Sequence, residues 1–312
     1  MRRLAHPPLS SSGEATLAQY REVLWEHEDL TDASRRNYLS DLRHFAAWYE
    51  AHSTQRTDEI SSSQMSFGPQ AITTPALTRY RTYLQKNLHQ KPNSVNRAFI
   101  SLKRYCSWAM QKHLISYDPS APVKLVGEEE HAPRHLEDEE EQALVAAVTN
   151  EGTLRDRALI VLLLHTGLRA REICHLRRDQ VKLGKRSGML EGIGKRNKYC
   201  EVPLNATARK VLEEYLSTVS PESISLFPSG KTKEALSERA LGYIVKKYAE
   251  RAKLVDVSPH DLRHRFGYRM AESVPLHRLA QIMGHDSLDT TRLYIQGTRQ
   301  DLQRAVETIA WI

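Results

Sequence analysis

Arginine, lysine, histidine and tyrosine recur in four short segments of the C-terminal half, in types and spacings that suit chemistry on an anion. The first segment is His165-Thr166-Gly167-Leu168-Arg169-Ala170-Arg171-Glu172. Gly167 can end a buried helix by taking positive φ. Arg169 then starts a short helix, with Glu172 three residues on. The second is Gly192-Ile193-Gly194-Lys195-Arg196-Asn197-Lys198, a basic hairpin tip before Val202-Pro203-Leu204. A tip crowded with glycine and cations can bring a lysine close to a phosphate. In the third, Ser258-Pro259-His260-Asp261-Leu262-Arg263-His264, the serine can cap a helix and the proline suits its first turn. His260 and Arg263 then share one face and can offer two donors to one anion near a helix N-terminus. The fourth runs from Ile282-Met283-Gly284-His285 to Leu293-Tyr294: a helix stops at Gly284, His285 sits in the turn, and a new helix carries Tyr294. Taken singly, each has an ordinary reading. Arg169 would pair with Glu172, the tip would be a solvated turn, the third segment a capped helix, and Tyr294 a packed aromatic. His264 reads as structural rather than as a ligand.

The elements that must position these residues follow from apolar periodicity. Leu17, Tyr20, Val23 and Leu24 fall on one helical face, and Tyr38, Leu42, Phe45, Ala46 and Tyr49 on another, with Thr31 and Asp32 as N-caps. Residues 52–73 lack periodicity and read as a long loop. Pro75 opens a third helix through Leu88. Pro92 opens a fourth, with Val95, Phe99, Leu102, Tyr105 and Trp108 at helical spacing. Three prolines and an acidic run between Tyr117 and Pro133 mark an interdomain linker. Beyond it the pattern gives helices at 136–149 and 153–166, and a short one after Gly167. A strand-rich patch follows at about 180–204. Further helices are expected at 205–219, 236–252, 259–273, 275–283, 287–296 and 299–310. The expected architecture is mostly α and multidomain: an arm over 1–13, a four-helix domain over 14–118, a linker over 119–135, and an α+β domain with a small antiparallel sheet over 136–312.

Composition agrees with a globular protein and a polyanionic partner. Of 312 residues, 45 are Lys or Arg and 38 are Asp or Glu, a net charge of +7. Clustered cations release counterions from DNA. The three cysteines, Cys106, Cys174 and Cys200, form no CxxC pair, so neither a disulfide framework nor a metal site is expected. The sequence has no Walker-type glycine loop and no His/Cys ligand array, and no cofactor is expected. The longest apolar run, Ala158 to Leu164, is too short to span a bilayer. The basic N-terminus leads into no apolar signal segment. A cytoplasmic protein with no membrane partner is the expectation.

In order and spacing, T-G-L-R-x-x-E, G-x-G-K-x-N-K before V-P-L, P-H-D-L-R-H, and M-G-H with Tyr294 nine residues after His285 resemble the signature of the tyrosine recombinase (phage integrase) family. The resemblance is close over 136–296 and looser elsewhere. It implies a SAM-like core-binding fold for the N-terminal domain and the family's catalytic fold for the second. It also implies roles. Arg169 and Arg263 would clamp the scissile phosphate, and Glu172 would support the site. Lys195 would be the hairpin general acid; its choice over Lys198 rests on the G-K-x-N-K pattern, and Arg196 stands where the family usually has Gly. His260 and His285 would be the two histidines of the set, and Tyr294 the nucleophile. Arg265 stands where a small residue is common and would add a phosphate contact.

The chemistry explains why such residues are needed. An unperturbed tyrosine has a pKa of about 10 and is a poor nucleophile at neutral pH without help. Two guanidiniums on the non-bridging oxygens make phosphorus more electrophilic and stabilise the charge of the transition state. A covalent 3′-phosphotyrosyl bond keeps the energy of the broken phosphodiester, so rejoining needs no ATP. The resemblance further implies a C-shaped clamp around double-stranded DNA with inverted-repeat core sites, a Holliday junction, and a homotetramer on two DNA sites. In the first domain the DNA contacts would come from Arg35, Arg36 and Asn37, and from Lys91, Asn93, Asn96 and Arg97; in the second, Arg196, Lys198 and Arg265 would add to them. The alternatives are a type IB-like topoisomerase with a similar residue set, and a DNA-binding protein without catalysis. The sequence leaves the DNA site and the biological setting open.

Overall fold

The structure is a computed structural model that describes residues 8–26, 30–53, 66–127, 134–193, 199–284, 288, 291, 294 and 307. The chain divides into two compact units, Met1–Glu130 and His131–Ile312.

Four helices build the first unit: α1 (Ser11–Glu26), α2 (Asp32–Ser53), α3 (Thr74–Thr82) and α4 (Pro92–Gln111). α4 forms because Val95, Phe99, Leu102, Cys106 and Ala109 recur at helical spacing, and all five are buried. They meet Tyr20 and Leu24 of α1, Leu42 and Phe45 of α2, and Leu77 and Tyr80 of α3 in one core. The start of each later helix is set locally. Thr31 Oγ1 accepts the Ser34 N–H at 3.2 Å. Thr73 Oγ1 accepts the Ala76 N–H, with Pro75 in the first turn.

Three expectations change here. The third helix does not run evenly to Leu88: α3 gives way to a π turn over Tyr83–Asn87. The end of the expected arm 1–13 belongs to the unit instead: α1 begins at Ser11 and the Glu50 carboxylate accepts hydrogen bonds from the Ser10 N–H and Oγ at 2.8 and 2.6 Å, while residues 1–7 lie outside the described residues. The linker loses its first half. Residues 119–126 are fastened to this unit: Thr74 Oγ1 donates to Pro119 O at 2.8 Å, Lys103 Nζ to Ser120 O at 2.6 Å, and Val123 is buried. Of the loop expected over 52–73, His52 and Ser53 finish α2 and Pro69–Ala71 form a 3-10 turn. Residues 54–65 lie outside the described residues.

The second unit is organised on α6 (Leu154–Thr166), whose Ala158 to Leu164 are all at most 3% exposed. A helix apolar all round must be wrapped. α5 (Asp138–Glu151), α8 (Ala206–Leu216), α9 (Glu238–Arg251) and α10 (Pro259–Ala271) pack against it. Between the short α7 (Ala170–Cys174) and α8 lies an antiparallel sheet of β1 (Val181–Leu183), β2 (Gly188–Ile193) and β3 (Tyr199–Pro203), in that order. Register pairs Leu190 with Val202, and both are buried, so alternation sends one face of the sheet to the core. α11 (Leu276–Met283) follows α10. α6, α8 and α9 are capped by Thr153, Asn205 and Ser237. The one buried carboxylate of α6, Asp156, accepts from Tyr248 Oη at 2.9 Å and from Arg155 Nη2 at 3.0 Å. No helix among the described residues is long and apolar enough to cross a membrane.

Candidate active site

Two helix ends and one helix start are brought together in the second unit. α6 and α11 each stop at a glycine in the left-handed region, Gly167 at φ 62° and Gly284 at φ 60°. A side chain at Gly167 would also meet the Phe266 ring, since a Cβ there would lie 2.3 Å from it. These turns aim the last carbonyls of both helices inward. Arg263, 3% exposed on α10, uses them: Nη1 donates to Gly167 O, and Nη2 donates to Met283 O at 2.9 Å. Arg169 is the N-cap residue of α7. Its Nη1 donates to Glu172 Oε1 at 2.8 Å and its Nη2 to Gly284 O at 3.3 Å. Glu172 also accepts the Arg169 backbone N–H at 2.7 Å, so one carboxylate fixes both ends of that arginine. The two guanidiniums thus rest on successive carbonyls at the end of α11.

α10 supplies the rest. Ser258 and Asp261 form a capping box, with the Ser258 N–H donating to Asp261 Oδ2 at 2.8 Å. His260 stands exposed at the start of the helix. One turn on, the buried His264 has its ring 4.1 Å from that of His260. Another turn on is Gly267, and Tyr294 lies directly over it. A Cβ at Gly267 would fall 2.5 to 2.9 Å from three atoms of the Tyr294 ring. Tyr294 is 6% exposed. Its hydroxyl shares a hydrogen bond of 3.0 Å with His264 Nδ1, and Arg263 is near enough to act on it electrostatically. Tyr268 packs edge-on against its ring at 5.3 Å, and the His135 ring lies 4.0 Å from that of Tyr268.

Electrostatics follow from burial and from the two arginines. Burial pushes the Tyr294 phenol above its ordinary value, while Arg263 and Arg169 pull it back. Burial, then Arg169, pushes Arg263 down to about 10, which leaves it cationic at neutral pH. His260, exposed at one edge but partly desolvated by its neighbours, is lowered first by that desolvation and then by Arg263, with Arg169 adding to the effect and Asp261 opposing it. His264 is lowered to about 4, by burial first and then by His260. Both imidazoles are therefore uncharged at neutral pH. The set can bind an anion with two fixed guanidiniums, and it holds a phenol beside them.

A pH dependence follows with a definite sign. His264 has an ordinary value of 6.5 and a folded value of about 4. As pH falls below 6.5 the unfolded chain takes up a proton that the folded one refuses, so stability falls with pH across that window. The full effect of such a shift is about 3 kcal/mol. Melting curves between pH 7 and 4 are expected to fall more steeply for the wild type than for His264→Asn. Equal slopes would contradict a buried neutral ring.

Arg169, Glu172, His260, Arg263 and Tyr294, expected together from sequence, stand together here. Lys195, Arg196, Lys198 and His285 lie outside the described residues; β2 ends at Ile193 and β3 begins at Tyr199. Two expected DNA contacts are corrected. Arg265 is buried, and its guanidinium is taken by Glu141, at 2.6 Å from Nε, and by Asp138, so it braces α10 on α5 instead of meeting a phosphate. Asn96 is also buried; its amide donates to Val126 O at 3.0 Å and accepts the Val126 N–H at 2.8 Å, which fastens the end of the first unit. Arg36, Asn37, Lys91 and Asn93 are exposed. Arg35 pairs with Asp32 at 3.1 Å, and Arg97 with Asp41 at 2.8 Å while its side chain stays 57% exposed. Sequence reasoning missed the contact of His264 with Tyr294 and the need for Gly267. Their positions one and two turns after His260 were the available signal.

A mostly helical unit with a three-stranded sheet, two carbonyl-anchored arginines and a buried tyrosine defines a class of fold and site, and comparison with known proteins agrees. The phage integrase family model matches residues 134–301, more than half of the chain. The chain belongs to the phage integrase family, the site-specific DNA recombinases. It is 29% identical to tyrosine recombinase XerD of Shewanella oneidensis over 296 residues, 91% of this chain and 92% of that one. It is 33% identical to tyrosine recombinase XerA of Pyrococcus horikoshii over 178 residues, 56% of this chain and 61% of that one. The fold is shared with XerH recombinase bound to palindromic difH in a post-cleavage complex, at a TM-score of 0.72 and 21% identity over 93% of this chain and 84% of that chain. It is shared also with the Tn1549 transposon integrase in complex with a circular intermediate DNA, at 0.72 and 15% identity over 95% and 99%.

Proposed function

We propose that this recombinase cuts and rejoins double-stranded DNA at inverted-repeat core sites through a covalent bond between Tyr294 and a 3′ phosphate. The observation that carries this reading is the buried Tyr294 phenol held where Arg263, an arginine fixed by two helix-end carbonyls, acts on it directly. Arg263 and Arg169 bind the non-bridging oxygens of the scissile phosphate and stabilise the charge that grows in the transition state. Tyr294 Oη attacks phosphorus, the bond from phosphorus to the 5′ oxygen breaks, and Lys195 gives the leaving oxygen its proton. His260, uncharged at neutral pH, takes the phenol proton. His285 donates a hydrogen bond to a phosphate oxygen. The reverse attack by a 5′ hydroxyl of a second strand restores the phosphodiester and frees Tyr294, by way of a Holliday junction.

The first unit serves as a core-binding domain and the second as the catalytic domain. Arg35, Arg36, Asn37, Lys91, Asn93 and Arg97 hold the backbone from the first unit, and Arg196 and Lys198 from the hairpin tip. Two such DNA sites joined by four copies of the chain make the working assembly, in the cytoplasm at the nucleoid.

The test is to lyse host cells under denaturing conditions, recover covalent protein–DNA complexes and sequence the attached ends, with Tyr294→Phe beside the wild type. Adducts are expected at one or a few inverted-repeat sites and none with the variant. Dispersed adducts that still depend on Tyr294 would favour a topoisomerase. No adduct from either protein, with DNA binding intact, would remove the catalytic reading.

A further inference from the structure

We infer that His264 is a positioning residue that fixes the Tyr294 hydroxyl beside Arg263. The inference rests on the reading of Tyr294 as nucleophile. A tyrosine side chain can swing about two torsions, so its oxygen needs a second point of attachment to meet a phosphate in line. Three contacts on α10 provide a seat. Gly267 removes the Cβ that would collide with the ring, so the ring can lie against the helix backbone. Tyr268 closes one edge at 5.3 Å. His264, one turn before Tyr268, reaches the hydroxyl with Nδ1 at 3.0 Å, and its own ring is 5.6 Å from that of Tyr294. His264 is only 7% exposed, so packing locks its rotamer. The helix thus holds the nucleophile by its ring at Gly267 and by its oxygen at His264, the neighbour of Arg263 on the same helix.

The surroundings of His264 keep that attachment constant. The groups that act on it are His260, Asp261 and Arg263 from α10, and His135 from the segment before α5. Their sum, with burial, leaves the ring neutral at pH 7. A neutral imidazole holds the oxygen without adding a charge that would compete with the phosphate for the arginines. It also differs in setting from His260, which is exposed.

The experiment uses the full chain and a nicked synthetic duplex of the sequence recovered by trapping, on which a cleaved strand end diffuses away and the covalent adduct accumulates. His264→Leu removes the polar atom. His264→Asn keeps one at the place of Nδ1. Single-turnover adduct formation is expected to slow on the order of 10- to 100-fold in His264→Leu, the scale set by a small misplacement of a reacting group. Affinity for the duplex should be unchanged, and His264→Asn should recover to within a few-fold of the wild type. A structural residue would instead lose melting temperature and DNA affinity together in both variants. If His264→Leu cleaves at the wild-type rate, or if His264→Asn is as slow as His264→Leu while both bind DNA, the inference is overturned and the nucleophile reading stands. If the wild type forms no adduct, both fall.

Discussion

Arg263→Ala is expected to lower covalent adduct formation by at least 100- to 1,000-fold, the cost of removing one stabilising donor from a charged transition state. It is also expected to destabilise the protein. The guanidinium donates to Gly167 O and Met283 O, and the residue is 3% exposed. Alanine leaves two buried carbonyls without donors, at about 1–3 kcal/mol each. Against a stability of roughly 5–15 kcal/mol that is a large fraction. The two effects separate in Arg263→Lys. Lysine keeps the positive charge and can reach one carbonyl, but it lacks the planar fork that serves two carbonyls and a phosphate at once. Melting should recover in part, and cleavage should not. A lysine variant that cleaves like the wild type would mean that charge alone matters here and that the anchoring of the fork is incidental.

Gly267→Ala is expected to cost about 100-fold in cleavage, with little loss of DNA affinity. The helix itself welcomes alanine, which is better than glycine in a helix interior by about 1 kcal/mol. The new methyl, however, would lie 2.5 Å from Tyr294 Cε1 and 2.6 Å from its Cζ, distances that real contacts do not allow. The ring must move off α10 and take its hydroxyl away from His264 and Arg263. This makes an unusual pairing of outcomes: α10 should be as stable or more so, while the reaction fails. A calorimetric melt and a single-turnover assay on the same preparation decide it. Normal cleavage would show that the tyrosine acts from another position.

Much of this was legible in the sequence, and the reason is local. Thr31 and Ser258 announce helix starts, and each caps or boxes its helix; the structure adds Thr153, Asn205 and Ser237 as caps at the expected starts of three more. Gly167 and Gly284 announce ends, because only glycine takes positive φ cheaply. The order of Arg169, Lys195, His260, Arg263, His285 and Tyr294 carried the family resemblance. What could not be read was which side of a polar residue faces inward. Asn96 looked like a donor for DNA because polar groups near a helix start are most often at the surface, and Arg265 because it stands where the family commonly has a small residue. Burial against Glu141 in one case and the Val126 backbone in the other is a long-range fact. The same holds for the prolines after Tyr117, whose composition signals a free linker. Ser120 and Val123 are nonetheless packed into the first unit. Gly267 gave no turn signal, because its use lies in what it lets approach.

The buried helix α6 has a further property that follows from where it ends. Its thirteen residues lead from the Thr153 cap to Gly167, whose carbonyl receives Arg263. An α-helix advances about 1.5 Å and turns about 100° with each residue. One residue added or removed within α6 would therefore swing that carbonyl away from Arg263 even if the core repacked without cost. Substitutions in α6 are a matter of volume, but its length is a dimension of the site, a spacer cut to measure by the number of its turns.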